Sequence, residues 1–380
     1  MTAWSPGRRD KAIEGLVSLA CREVWRSSEH GELIVSRIKA AIADENPVVR
    51  MTATRAFRAV FAGDSAPSRI RILGKLLRSE PNSNVRNVLL RILGSEAHGS
   101  PQEVDEVLRE LANEPNRATD EAEGEANEDE GVDPTVDILM FLAMNHHTPF
   151  ATDSVRRWVT TAPQSGEALR AIHVVRNYLA PTADPTVQDR AFDMVATAAC
   201  TSLARWNRNP DEHVPNADLP RTNLNELQHA LKVMESSASQ IYFASGAFDG
   251  KRSDFVPAPD ASHERFAVLA LPVLLTCART KVAPIVHHVV ETLVFLAPLN
   301  ERRALLAIAE AIAADGVYAY DPLSSNVVIP YLKRRLAEHR QLVLLDEGGV
   351  AAFRKILAAF ASAGNESALE LAFTFADVFR

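Results

Sequence analysis

Apolar residues recur along most of the chain at intervals of three and four, the spacing that gathers them on one face of a helix. In 10–27 they are Ile13, Leu16, Val17, Ala20 and Val24, and in 33–42 they are Ile34, Ile38, Ala41 and Ile42. Glu29-His30-Gly31 makes a short turn between the two stretches, which predicts a first helical hairpin. No stretch alternates with the two-residue period of a strand.

The next segment states one pattern twice. Asp44-Glu45-Asn46-Pro47-Val48-Val49-Arg50 opens an apolar run ending in Ala56-Phe57, and Glu80-Pro81-Asn82-Ser83-Asn84-Val85-Arg86 opens another ending in Ile92-Leu93. At a shift of 36 residues Asp44 falls on Glu80, Val49 on Val85, Arg50 on Arg86 and Phe57 on Leu93. Asn46 is placed to cap its helix and Pro47 to occupy the first helical position, where a missing N–H costs nothing. Ile70, Leu73, Leu76 and Leu77 supply a return helix after the break at 63–67, and Val104, Val107, Leu108 and Leu111 pair with the second copy. A lone hairpin cannot cover its own apolar face, so the pattern predicts stacked copies.

Beyond residue 133 the copies weaken. Asp133-Pro134-Thr135-Val136 and Asp184-Pro185-Thr186-Val187 restart helices in similar language, with Asp137 and Gln188 in place of the repeated arginine. The spacing predicts helices at 134–146, 150–161, 164–179, 185–206, 224–247, 262–280, 283–297, 300–314, 327–340, 347–363 and 366–379. Between them 207–220, 248–259 and 315–326 read as surface excursions. Pro272 and Pro284 are placed to kink or start their helices. Asp346 and Asn365 are placed as caps and Gly364 as a stop. Leu371, Phe375, Val378 and Phe379 stripe the terminal helix, an apolar end that folds back or meets a partner.

The Asp, Pro and Val-Arg that open the second helix of each copy resemble HEAT repeats, of the armadillo-like group. That resemblance covers about 70 residues. It implies an all-α fold, an irregular right-handed α-solenoid of helical hairpins, and a hydrogen-bonded ladder involving Asp44, Arg50 and Arg86, with Glu80 departing from the usual Asp. A fainter resemblance lies in Leu336-Ala337-Glu338-His339-Arg340, Gly349-Val350-Ala351-Ala352-Phe353-Arg354 and Phe373-Thr374-Phe375-Ala376-Asp377. These look like the helical tail of large bacterial HEAT-containing NTPases, some acting in signalling or phage defence. That implies a sensor or adaptor working without its own NTPase, since no phosphate loop is present.

Composition adds a helical bias: the 380 residues are 47% apolar but only 6% aromatic, which favours packing through Leu, Ala and Val. The formal charge of −8 is matched by eight acids without a base in 120–133, inside the low-complexity acidic segment 116–133. That segment predicts a disordered loop dividing 1–115 from 134–380. Three isolated cysteines, Cys21, Cys200 and Cys277, suggest no disulfide framework and fit a reducing cytoplasm. The N-terminus lacks an h-region, and the uncharged run 266–278, only 13 residues, is short of the about 20 that span a membrane.

Signatures of chemistry are sparse: there is no phosphate loop, GxGxxG, GxSxG or HExxH. His146-His147 and His287-His288 are adjacent pairs, and adjacent helical residues point about 100° apart, unlike metal ligands sharing a face. His263-Glu264 is similar to one half-site of the HEAT-type metal hydroxylases, which use several such dyads; a single dyad stands here. Glu291 with Glu301, or Asp315 with Asp321, gain no acid–base role from spacing alone. The expectation is a non-enzyme without cofactor or metal.

Distributed features carry the functional expectation. Residues 37–91 hold eleven basic residues against four acids, a lobe of +7. Arg55, Arg58, Arg69 and Arg78 in it could follow a nucleic-acid backbone, although aromatic residues for base stacking are scarce there. In 317–321 Tyr318 and Tyr320 stand in a short aromatic loop, and tyrosine is favoured at recognition surfaces. The leading expectation is a protein-binding scaffold or adaptor presenting a concave helical surface. A nucleic-acid binder is the alternative.

Overall fold

The structure, a computed structural model, describes residues 8–26, 28–114, 134–162, 165–207, 221–248, 258–312 and 318–374. The protein is all-α, with no strand among the described residues. The chain divides into two compact units, Met1–Ser154 and Val155–Arg380. Helices 135–146, grouped by sequence with the later residues, thus belong to the first unit. The acidic segment lies outside the described residues except for its neighbours.

Unit 1 contains α1 (Arg8–Ala20), α2 (Glu23–Arg26), α3 (Gly31–Ile42), α4 (Pro47–Thr54), α5 (Phe57–Val60), α6 (Ala66–Ser79), α7 (Ser83–Glu96), α8 (Pro101–Ala112), α9 (Thr135–Phe141) and the start of α10 (Pro149–Thr160). Helices α1 and α3 pack on α4, and α4 packs on α7, its partner at the 36-residue shift. Most of the apolar face read from the sequence is core, with Ile34, Ile38, Val49, Ala53, Ala56 and Val60 buried together, whereas Val24 of the first stretch is 81% exposed. The first start has its expected cap, the Asn46 side chain accepting from Val48 N, and Asn82 caps the second by accepting from Asn84 N and Val85 N.

The first copy departs from the second in one respect. Instead of one helix through Phe57, α4 stops at Thr54 and α5 restarts at Phe57. The Thr54 hydroxyl donates back to Arg50 O at 2.7 Å, and the backbone tightens to i−3 bonds at Arg55 and Ala56. A back-bonding threonine bends a helix in this way; the corresponding residue of α7 is Leu90, which has no hydroxyl, and α7 continues. A second irregularity follows α9, where the helix loosens into a π-helical turn, Leu142–His146, ended by His147 at φ 52.

Unit 2 contains α11 (Gly166–Val174), α12 (Arg176–Leu179), α13 (Pro185–Trp206), α14 (Arg221–Ala244), α15 (Ser262–Ala278), α16 (Ala283–Leu296), α17 (Glu301–Ile312), α18 (Pro322–Glu338), α19 (Arg340–Leu344), α20 (Glu347–Ser362) and α21 (Glu366–Thr374). Short 3₁₀ turns occupy Ala297–Leu299 and Tyr318–Tyr320. Helix α13 packs on α14 and α15, α14 on α16, and α17 on α20. Phe266, Phe353 and Phe360 are fully buried, and Phe192 meets Phe266 edge-on with centroids 5.4 Å apart. Pro272 lies inside α15 and Pro284 in the first turn of α16.

Two expected boundaries are corrected. The stretch 164–179 is two helices, α11 and α12. The expected loop 315–326 holds a 3₁₀ turn and the first turn of α18, because Asp321, read only as a loop acid, accepts from Leu323 N at 2.8 Å and caps the helix five residues early. The closing punctuation is as expected: Asp346 accepts from Gly349 N, Gly364 takes φ 80, and Asn365 accepts from Ala368 N. Phe375, Val378 and Phe379 lie outside the described residues.

Candidate interaction surfaces

The repeated arginine acts between helices. Arg50 meets Glu80 through two bonds, Nε to Oε2 at 2.8 Å and Nη2 to Oε1 at 2.7 Å, while its Nη1 donates to the carbonyls of Asp44 and Glu45. Both charged side chains are largely buried, and the bond to Glu80 raises the Arg50 pKa still further. Asp44 occupies the matching place one repeat earlier. It pairs with Arg9, and its Oδ1 accepts from Asn46 N at 2.9 Å, just as Glu80 Oε1 accepts from Asn82 N at 2.9 Å. The longer glutamate therefore does the aspartate's work. Farther along, Gln188 stands where the arginine is lost, and its amide donates to Leu179 O and Ala180 O at the end of α12.

Three of the four arginines proposed for a nucleic-acid ridge are committed elsewhere. Arg58 and Arg69 converge on buried Glu96, at 3.2 and 2.6 Å, and also donate to Ser95 O and Asp64 O respectively. Arg78 pairs with Glu110 at 2.6 Å. Arg55 is exposed, with no ion pair among the described residues. These guanidiniums hold helices together rather than forming a row of free cations. The acids that neutralise them, Glu96 and Glu110, lie past residue 91, outside the window in which the sequence reading counted charge.

A different buried acid organises the end of unit 1. Asp105 on α8 accepts from Thr148 Oγ1 at 2.7 Å and from Phe150 N and Ala151 N at 2.9 Å each. It caps α10 from a distant helix, and nothing local in sequence marks it for that role.

The aromatic turn 318–320 separates its two tyrosines. Tyr318 is 3% exposed, and its hydroxyl lies 3.3 Å from His287 Nδ1. His287 Nε2 is 3.1 Å from buried Glu291 Oε1. A neutral imidazole satisfies both contacts if Nε2–H donates to the carboxylate and Nδ1 accepts from the phenol. Burial, with the negative charges of Glu291 and Asp321, pushes the Tyr318 phenol far above its ordinary pKa, so it stays a donor. Tyr318 is thus an anchor and not a contact residue, and only Tyr320 of the pair faces solvent, at 66% exposure. Leu323, three residues on and 60% exposed, joins it. The sequence reading missed both Leu323 and the His287–Glu291 support, the latter because an i, i+4 pair on a helix becomes visible as an anchor only once the turn is seated on it.

The other chemical candidates have structural employment. His263 Nδ1 lies 2.9 Å from Asp260 Oδ1 at the start of α15, and His146 packs edge-on against Phe141. His288 packs against the Tyr242 ring. Glu291 serves His287, Glu301 pairs with Arg335, Asp321 caps α18, and Asp315 lies outside the described residues. Among the described residues no three His, Cys, Asp or Glu side chains converge, and no helix is long and apolar enough to cross a membrane. Burial pushes the Cys277 thiol up to about 12, which suppresses its thiolate; Cys21 and Cys200 are exposed. No protein-family model matches the chain, and no curated protein is detectably similar to it.

Proposed function

We propose that this protein is a non-catalytic scaffold or adaptor that binds another protein, built as an irregular α-solenoid of HEAT-like hairpins. The observation that carries the reading is the exposure of Tyr320 and Leu323 on a turn fixed from both sides, by the buried Tyr318–His287–Glu291 chain and by the Asp321 cap. An aromatic and an aliphatic side chain exposed on a turn already anchored by buried contacts lose less entropy on association than the same pair on a loose loop, which favours a recognition role. The HEAT-like part of the reading draws its support from the matching Asp44 and Glu80 contacts. A role as sensor or adaptor for a separate NTPase is compatible with it.

The test is affinity capture from the native cell after nuclease treatment. A specific protein partner recovered with the wild-type chain should be lost with Tyr320→Ala plus Leu323→Ala. Recovery that is indifferent to both substitutions would overturn the reading. The nucleic-acid alternative rests on exposed Arg55. It requires steeply salt-dependent binding that Arg55→Glu weakens, and the commitments of Arg58, Arg69 and Arg78 speak against it.

A further inference from the structure

Helices α15, α16 and α17 enclose an open apolar slot of about 320 Å³. On the α15 side Val268, Leu271 and Leu274 line it in succession from Glu264, at intervals of four, three and three. That stripe rises about 15 Å over ten residues. Leu293 and Leu296 of α16, both buried, contribute to the lining, while Val268 is 53% exposed at the mouth. The slot therefore follows a helix for nearly three turns, open along Glu264 to Leu271 and floored at its end by fully buried Leu274, the form of groove that accepts another helix.

Its charged lining selects among occupants. Glu264 from α15 and Arg303 from α17 both border the slot, and neither side chain has a hydrogen bond or ion pair among the described residues. An anionic amphiphile such as a fatty acid would gain Arg303 but meet Glu264. A helix with an apolar stripe, a base on one flank and an acid on the other satisfies both. We propose that this slot docks an amphipathic helix of a partner protein, about three turns long, with large apolar side chains at i, i+4 and i+7 and flanks of opposite charge facing Glu264 and Arg303. This surface is additional to the Tyr320 turn, and each can fail without the other.

The test uses the full chain and three fluorescein-labelled helical peptides sharing one leucine stripe: one with a Lys flank and a Glu flank, one with both flanks Glu, one with both flanks Lys. Fluorescence anisotropy should show the mixed-flank peptide binding at least about tenfold tighter than either uniform one. Val268→Asp, at an exposed position that leaves the core intact, should abolish binding without lowering the melting temperature. Glu264→Lys should move the preference to the all-Glu peptide. Equal affinity for all three peptides, no binding of any, or displacement by dodecanoate would overturn the proposal. So would a concentration-dependent dimer, seen by sedimentation, that Val268→Asp dissolves, because the occupant would then be a second copy.

Discussion

Unit 1 and unit 2 are both helical, but their helices are tied together differently. In unit 1 the ties are acid–arginine contacts, two of them on the matched acids of the repeat: Arg9 to Asp44, Arg50 to Glu80, and, off the repeat, Arg58 with Arg69 to Glu96. In unit 2 arginine–acid contacts also join helices, Arg265 to Asp189 and Arg302 to Asp346, but beside bulkier, aperiodic ties. Three phenylalanines are fully buried, one arginine, Arg335, is buried against Glu301, and Gln188 takes an amide's route to backbone carbonyls. A repeated polar contact specifies register cheaply but fills the surface with engaged charge. Large apolar side chains face solvent in both units, Val24, Trp25 and Leu33 in unit 1 and Tyr320 and Leu323 in unit 2, but only the last two flank a turn anchored by a buried tyrosine and a helix cap. On the proposed reading, the charges of unit 1 serve structure and recognition falls to the surface of unit 2.

The largest effect that would test this contrast is on the core of unit 2. Phe266→Ala removes a fully buried ring and its contact with Phe192, and should cost about 3–5 kcal/mol; urea unfolding followed by circular dichroism measures it. In unit 1, Glu80→Ala strands the largely buried Arg50 guanidinium and should cost about 3 kcal/mol, nearly independent of salt. Arg58→Ala removes a side chain that is 59% exposed, and should cost about 1 kcal/mol or less. If the two unit 1 variants lost equal stability and salt removed both losses, the ladder would be ordinary surface charge.

Smaller effects sharpen the account of the helix ends. Gly349 sits under Asp346 in the first turn of α20, where an added Cβ would come within 2.1 Å of Leu342 O. Gly349→Ala should therefore cost about 2 kcal/mol, in the range of overpacked sites, and a thermal melt at neutral pH reads it. The smallest effect concerns Asp260, whose carboxyl is held down from 3.8 to about 2, first by the Ser262 hydroxyl and then by His263. A depressed folded-state pKa contributes stability above the unfolded value that is lost as the pH falls from about 3.8 towards 2. Asp260→Asn should accordingly differ from wild type at pH 6 and converge on it by pH 2; a gap that stayed constant across that range would contradict the assignment.

Most helix positions and some caps were legible because they depend on residues close in sequence: Asn46, Asp346 and Asn365 each bond backbone N–H groups within three residues. The 36-residue pattern matched Asp44 with Glu80 and so pointed to the place of both acids, while Glu80, a departure from the usual Asp, left its contacts to Arg50 and Asn82 N unannounced. The commitments of Arg58 and Arg69 were hidden, since Glu96 lies 38 and 27 residues away at no repeated offset. Tyr318 and Tyr320 looked equivalent because a 3₁₀ turn has no apolar stripe that distinguishes its inward side. The α15–α17 slot escaped notice for a related reason: Val268 and Leu271 read as core, and only tertiary packing decides which members of a broad apolar stripe remain uncovered.

The most direct test compares the two units in one binding experiment. Wild-type chain, Arg55→Glu, and Tyr320→Ala with Leu323→Ala are each used for nuclease-treated capture at low salt and at about 0.5 M salt, where exposed charges are screened within a few Å. The account predicts that the same protein partner is recovered with wild type and with Arg55→Glu at both salt concentrations, and is lost only with the Tyr320 and Leu323 substitutions. Loss with Arg55→Glu, or binding that vanishes at high salt and ignores Tyr320, would contradict it.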